Sequence, residues 1–190
     1  MEAFEHVVKI LVESQGYVAT TNVKFFVRRK TKKKVRDEYQ THGYELDIVA
    51  ARADSLILGS VKSFFGSKGV STVGFLELHG AVHEDQKGYK VFNDSELRDQ
   101  IREVAAKRYG YPVSAIRYAL YVGRFKSGDE QPIRTYLGTL GIEVFANPEI
   151  CAGLRRSLVG TYTDDPVVMT LKALEEAGHL VAEVPARRFG

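Results

Sequence analysis

Cysteine is nearly absent from this chain. Cys151 is the only one, so no internal disulfide can form, as expected in a reducing compartment. It precedes Ala-Gly-Leu in a helical pattern and is read as a packing residue rather than a catalytic thiol. Long apolar runs are missing too: nowhere do the roughly 20 consecutive apolar residues of a membrane helix occur. The opening MEAFEHVVKI has neither the basic start nor the unbroken apolar stretch of a secretory signal. A cytoplasmic protein without membrane contact is the expectation. No internal repeat is visible, and Gly66-Ser67-Lys68-Gly69 lacks the spacing of a phosphate-binding loop. His79 and His83 stand four apart, but Gly80 lies between them and no further Cys or His is near, so they read as surface histidines.

What the chain does have is an uneven distribution of charge. Net charge is only +3, yet residues 28–36 (RRKTKKKVR) hold seven Lys or Arg and no acid. The remainder carries 20 basic against 24 acidic residues, a net of −4. A slightly acidic body with one concentrated basic segment can hold phosphates by charge and release their counterions. Arg28, Arg29, Lys30, Lys32, Lys33, Lys34 and Arg36 are therefore candidate nucleic-acid contacts; the alternative is a solvated loop.

Apolar spacing predicts an amphipathic helix over 3–15, with Phe4, Val7, Val8, Leu11 and Val12 on one face and Gly16 as its stop. Tyr17 to Val27 reads as a strand rich in β-branched and aromatic residues. His42-Gly43 is expected to break the chain before a second strand, Glu45 to Ala50. Asp54-Ser55 marks a tight turn into a third strand, Leu56 to Lys62. Residues 63–93 resist assignment apart from a short helix near 70–77. A second helix spans 94–109, capped by Asp94 or Ser95. Further strands are expected over 116–125 and 141–146, a short helix opens at Pro132, and terminal helices lie near 148–158 and 165–177. The order describes an α/β protein, a mixed sheet flanked by helices in one domain, with residues 147–190 as a helical extension of a core over 1–146.

Alternation places Glu45 and Asp47 on one strand face, and Ser60 and Lys62 on one face of the next. A turn centred between Ala53 and Asp54 sets Asp47 across from Ser60 and Glu45 across from Lys62, Cβ atoms roughly 5 Å apart. Two carboxylates and an ammonium group would then converge. Carboxylates hold hard divalent cations, which offset phosphate charge and activate water. A lysine beside them can position that water or stabilise the charged transition state. A Glu45–Lys62 salt bridge is the plain structural alternative.

The run Glu45-Leu46-Asp47-Ile48-Val49-Ala50, followed by Ser60-Val61-Lys62, resembles the PD-(D/E)XK signature of restriction-endonuclease-like nucleases. The helix leading to Gly16-Tyr17-Val18 is similar to the first helix of that superfamily. The resemblance spans roughly residues 3–146 as an order of elements and implies a restriction-endonuclease-like fold. It also implies Mg2+ as cofactor, with Mn2+ as a substitute, and DNA as substrate. Asp47 corresponds to a metal ligand, Lys62 to the catalytic lysine, Glu5 to a helix-borne ligand, and Gln100 to a residue orienting the attacking water. Leu46 stands where proline is common, and Ser60 where an acidic ligand is expected. A branch of restriction enzymes reads Ser-x-Lys with the acid moved downstream, which makes Glu77 the replacement ligand, ahead of Glu84 and Asp85. The expected function is a Mg2+-dependent DNA endonuclease of restriction or repair type. The alternatives are an inactive nucleic-acid-binding module on the same fold, and a structure-specific or Holliday-junction nuclease. A homodimer is one route to cutting both strands.

Overall fold

The computed structural model describes residues 2–30, 39–75, 89–158 and 164–178. Five strands form one sheet in the order β1-β2-β3-β4-β5: β1 Val18–Lys30, β2 Tyr39–Arg52, β3 Ser55–Lys62, β4 Ile116–Val122 and β5 Ile142–Ala146. The first three are antiparallel neighbours, whereas β3–β4 and β4–β5 are parallel. Parallel neighbours need crossovers. The first runs through α2 (Lys90–Asn93) and α3 (Ser95–Tyr109), the second through α4 (Glu130–Thr139). Helix α1 (Ala3–Ser14) precedes the sheet, and α5 (Asn147–Leu158) and α6 (Pro166–Glu176) follow it.

Two cores follow from this layering. Leu97 and Ile101 of α3 and Ile133 and Leu137 of α4 pack on Leu56, Leu58 and Leu120 of the central strands. On the other side Phe4, Val8, Leu11 and Val12 of α1 join Ile150 and Leu154 of α5 against Ile48, Ile57 and Tyr121. Each such fully buried side chain contributes about 1.5–3 kcal/mol. With both faces covered, β3 and β4 are near-continuous apolar runs; β1 alternates buried and exposed because its outer half has one open face.

The expected elements are found within a few residues, with two differences. β2 runs unbroken through His42-Gly43, since Gly43 lies opposite Phe26 in the ladder, inside a long two-stranded ribbon. The stretch near 70–77 forms one 3-10 turn over Thr72–Gly74, and residues from 76 onward there lie outside the described residues. Within the helical extension, Ile150 and Leu154 of α5 pack into the second core. Cys151, expected to pack, is exposed on α5. Among the described residues no helix is long and apolar enough to cross a membrane.

The segment after Lys62 is tied down by Asp129 at the head of α4. Its Oδ2 accepts from the Ser71 hydroxyl at 2.8 Å and the Thr72 amide at 2.9 Å. Chiefly the Thr72 amide, then the Ser71 hydroxyl, holds the Asp129 carboxyl below its ordinary range. A depressed folded-state pKa stabilises above the unfolded value of about 4 and is lost as pH falls through the folded one. Asp129→Asn should therefore melt below wild type at neutral pH, and the gap should close with acidification below about pH 4. A gap independent of pH in thermal melts would show that the carboxylate charge plays no part.

A carboxylate at the fork of the sheet

The β2–β3 ladder runs from Arg52↔Ser55 to Ile48↔Gly59, the register expected from a turn at Ala53-Asp54. There it stops. Beyond it β2 continues paired with β1 as far as Tyr39, and β3 continues paired with β4 as far as Lys62. The sheet forks, and Asp47 and Ser60 are the first residues past the last shared pair. Gly59 sits in the last shared pair, where a Cβ would meet the Tyr121 ring at 3.1 Å and Ile48 Cβ at 3.2 Å.

Opening the fork leaves the Val61 amide without a strand opposite it, and an unpaired buried N–H costs about 1–3 kcal/mol. The Asp47 side chain fills that place. Its Oδ2 accepts from Val61 N–H at 2.6 Å, from Ser60 Oγ at 2.9 Å and from Lys62 Nζ at 3.5 Å. Three donors from three consecutive residues thus meet on one oxygen. Among the described residues no hydrogen bond is made to Oδ1. The Asp47 and Lys62 side chains are only 19% and 23% exposed, which strengthens their attraction relative to a surface pair.

Glu45 is not part of this cluster. It accepts from Asn22 Nδ2 at 3.2 Å and lies 3.8 Å from Lys24 Nζ, both on β1. The expected Glu45–Lys62 pairing assumed an unbroken pleat. Instead Leu46 and Val49 enter the same core although three residues apart, and Ile48 enters the other, so alternation is lost at Asp47. The cause lies across the ribbon: Asn22, facing Asp47 where the β1–β2 ladder skips a pair, adopts φ +56. Asparagine tolerates that left-handed conformation better than most side-chain-bearing residues.

The remaining candidates divide. Glu5 is buried, but its carboxylate accepts the Glu2 amide at 3.0 Å in a capping box at the start of α1, on the face of the sheet opposite α3. Gln100 lies on α3, which covers the face toward which Leu58, Ser60 and Lys62 alternate, yet its amide donates to Glu96 one turn earlier at 3.1 Å. Arg29 is held by Asp94 at 2.6 Å and Glu96 at 3.9 Å, pinning the start of α3, so it is not free for phosphate. Arg98 on α3 is buried and donates to the Val91 and Phe92 carbonyls. Arg28 and Lys30 stand exposed on β1. Glu77, Glu84, Asp85, Lys32, Lys33, Lys34 and Arg36 lie outside the described residues. Val61 and Asn22 were not foreseen; the one available signal was an asparagine interrupting a β-branched run.

No group of three or more His, Cys, Asp or Glu side chains is placed to hold a metal ion among the described residues. The donor set fits a looser mode. Mg2+ keeps several waters and takes one or two carboxylates plus substrate phosphate oxygens. Asp47 Oδ1 offers one such ligand, with an ammonium group alongside.

No protein-family model matches the chain, and no curated protein matches it. Among solved structures it is similar to one described as "Crystal Structure of Protein of Unknown Function AF1548". Identity is 16% and the TM-score 0.43, covering 93% of this chain and 77% of that one. A likeness of that size carries nothing about chemistry.

The fork geometry makes a stability prediction independent of any activity. Asp47→Ala should cost about 1–3 kcal/mol by orphaning the Val61 amide, and Ser60→Ala about 0.5–1.5 kcal/mol. Because both act through Oδ2, the double variant should cost less than the sum in urea denaturation. Strict additivity would mean that the two residues do not share this bond.

Proposed function

We propose that the chain is a metal-dependent DNA endonuclease of the restriction-endonuclease-like kind, acting at Asp47 and Lys62. The observation that carries this reading is the convergence of Ser60, Val61 and Lys62 on a single oxygen of Asp47 at the fork of a mixed sheet. The order of elements and the Asp47…Ser-x-Lys62 spacing point the same way. So does the basic sequence at the end of β1.

In this reading Asp47 Oδ1 and a carboxylate from the downstream segment, Glu77 first among them, hold Mg2+, with Mn2+ able to substitute. The metal, when bound, offsets charge on the scissile phosphate and acidifies water. The chain's own residues do the rest. The three donors on Oδ2 fix the carboxylate plane, so Oδ1 presents a constant position to the cation. Lys62 Nζ donates to Asp47 Oδ2 at 3.5 Å. Once phosphate and cation enter, it can orient the attacking water or donate to a developing anionic oxygen. Ser60 serves as a hydrogen-bond donor that orients Asp47 rather than as a ligand, and in this reading the second acid comes from another part of the chain.

A second reading has one observation behind it. Ser60 stands where the resemblance expects an acid and spends its hydroxyl on Asp47, which is also what a binding module that has lost its metal would show.

Plasmid or branched DNA should be cut in Mg2+ or Mn2+ and not in chelator. Asp47→Asn, which keeps an oxygen for the Val61 amide, and Lys62→Ala should each lower cleavage by at least about 100-fold while DNA affinity stays within about threefold. Glu77→Gln should lower cleavage and raise the Mg2+ concentration needed to support it, as loss of the second ligand requires. Tight DNA binding with no cleavage of DNA or RNA by wild type in either metal would overturn the enzyme in favour of the binding module.

A further inference from the structure

In the outer half of the β1–β2 ribbon, β1 has one buried and one open face, while Tyr39–Gly43 of β2 are exposed throughout. Val23, Phe25 and Val27 point into the core beneath α3. The alternate residues Lys24, Phe26, Arg28 and Lys30 are all exposed, as are Glu45, Gly43, Thr41 and Tyr39, their partners in the ladder. Exposed aromatics scattered singly need no explanation, but here Phe26 and Tyr39 share one strip, 63% and 55% exposed.

Their setting is specific. Gly43 stands opposite Phe26, and a Cβ built on it would lie 3.3 Å from the Phe26 ring, so the ring lies across the β2 backbone with its other side to solvent. At the next pairs outward the Arg28 guanidinium sits over the Tyr39 ring, 5.2 Å from its centroid. The strip's described acid, Glu45, is already bridged by Asn22 and Lys24. The sequence joining the strands adds Lys32, Lys33, Lys34 and Arg36 against Asp37 and Glu38. The strip begins two residues from Asp47.

We propose that this open face of the β1–β2 ribbon binds unpaired nucleotides, with Phe26 and Tyr39 as stacking platforms for bases and Arg28 and Lys30 as phosphate contacts. This rests on the nucleic-acid reading above and narrows its substrate to DNA with single-stranded character next to the cleaved bond. Flat aromatic faces interleaved with cations are the chemistry that holds single strands without reading sequence. In a duplex the bases are stacked on one another and present only edges and backbone. Duplex therefore gains from the cations alone, and only an unpaired strand can use the rings.

The test is fluorescence anisotropy of the full-length protein in chelator, so that cleavage plays no part. The probes are a labelled oligo-dT of roughly 20 nucleotides and a blunt duplex of equal length. Phe26→Leu keeps an apolar cover over Gly43 but removes the ring, and thermal melting checks that it is folded. It should lose about tenfold in oligo-dT affinity and less than about twofold on duplex, and Phe26→Trp should restore the single-strand value. Arg28→Ala and Lys30→Ala should each reduce the logarithmic salt slope on oligo-dT by about 0.7. Phe26→Leu binding oligo-dT like wild type, or losing equally on both probes, would overturn the assignment. The two claims can fail separately. Normal binding by Phe26→Leu, with cleavage still dependent on Asp47, removes only the stacking face. Loss of single-strand binding by Phe26→Leu, beside a wild type that cuts nothing, removes only the nuclease.

Discussion

One backbone amide organises much of this molecule. Where β2 and β3 part, the Val61 N–H would be left buried and unpaired, and the carboxylate of Asp47 supplies the acceptor that the departing strand no longer provides. The same oxygen collects the Ser60 hydroxyl and the Lys62 ammonium, so one desolvation problem brings Asp47 and Lys62 together. A sheet that stayed paired to its end would have had no place for an inward-turned aspartate.

The fork also divides the labour of the sheet. On the β3 side both faces are covered, by α3 and α4 on one and α1 and α5 on the other, and the strands are apolar nearly throughout. On the β1 side the ribbon leaves the second layer behind and keeps only one face covered. Rigid scaffold and open arm thus meet at Asp47.

How much of this was legible follows from range. The β2–β3 register could be read because two residues of turn fix it, and helix 95–109 because Asp94 caps a periodic apolar face. The assignment of Glu45 to Lys62 failed because alternation is a local rule, and one left-handed asparagine on the neighbouring strand breaks it. Glu5 and Arg29 have the residue types the chemistry wants, but each is claimed by a nearby partner, a helix N-terminus and the cap of α3. Gln100 is half claimed: its Nε2 donates to Glu96, and its buried Oε1 has no partner among the described residues. Pattern shows which groups a chain owns; competition among neighbours decides which remain available. Gly43 misled in the same way. Taken alone it reads as a break, yet opposite an aromatic ring it is what lets the ribbon continue.

The two-residue turn at Ala53-Asp54 has a kinetic consequence. The Asp47 contacts with Ser60, Val61 and Lys62 span only 13 to 15 residues of chain, closed by a hairpin. β4 reaches β3 only after the long crossover through α3, a pairing with a far larger loop-closure cost. During folding the cluster can assemble while the parallel half of the sheet is still unformed. Evolution could therefore lengthen or replace the segment between Lys62 and α3 without first having to rebuild the fork.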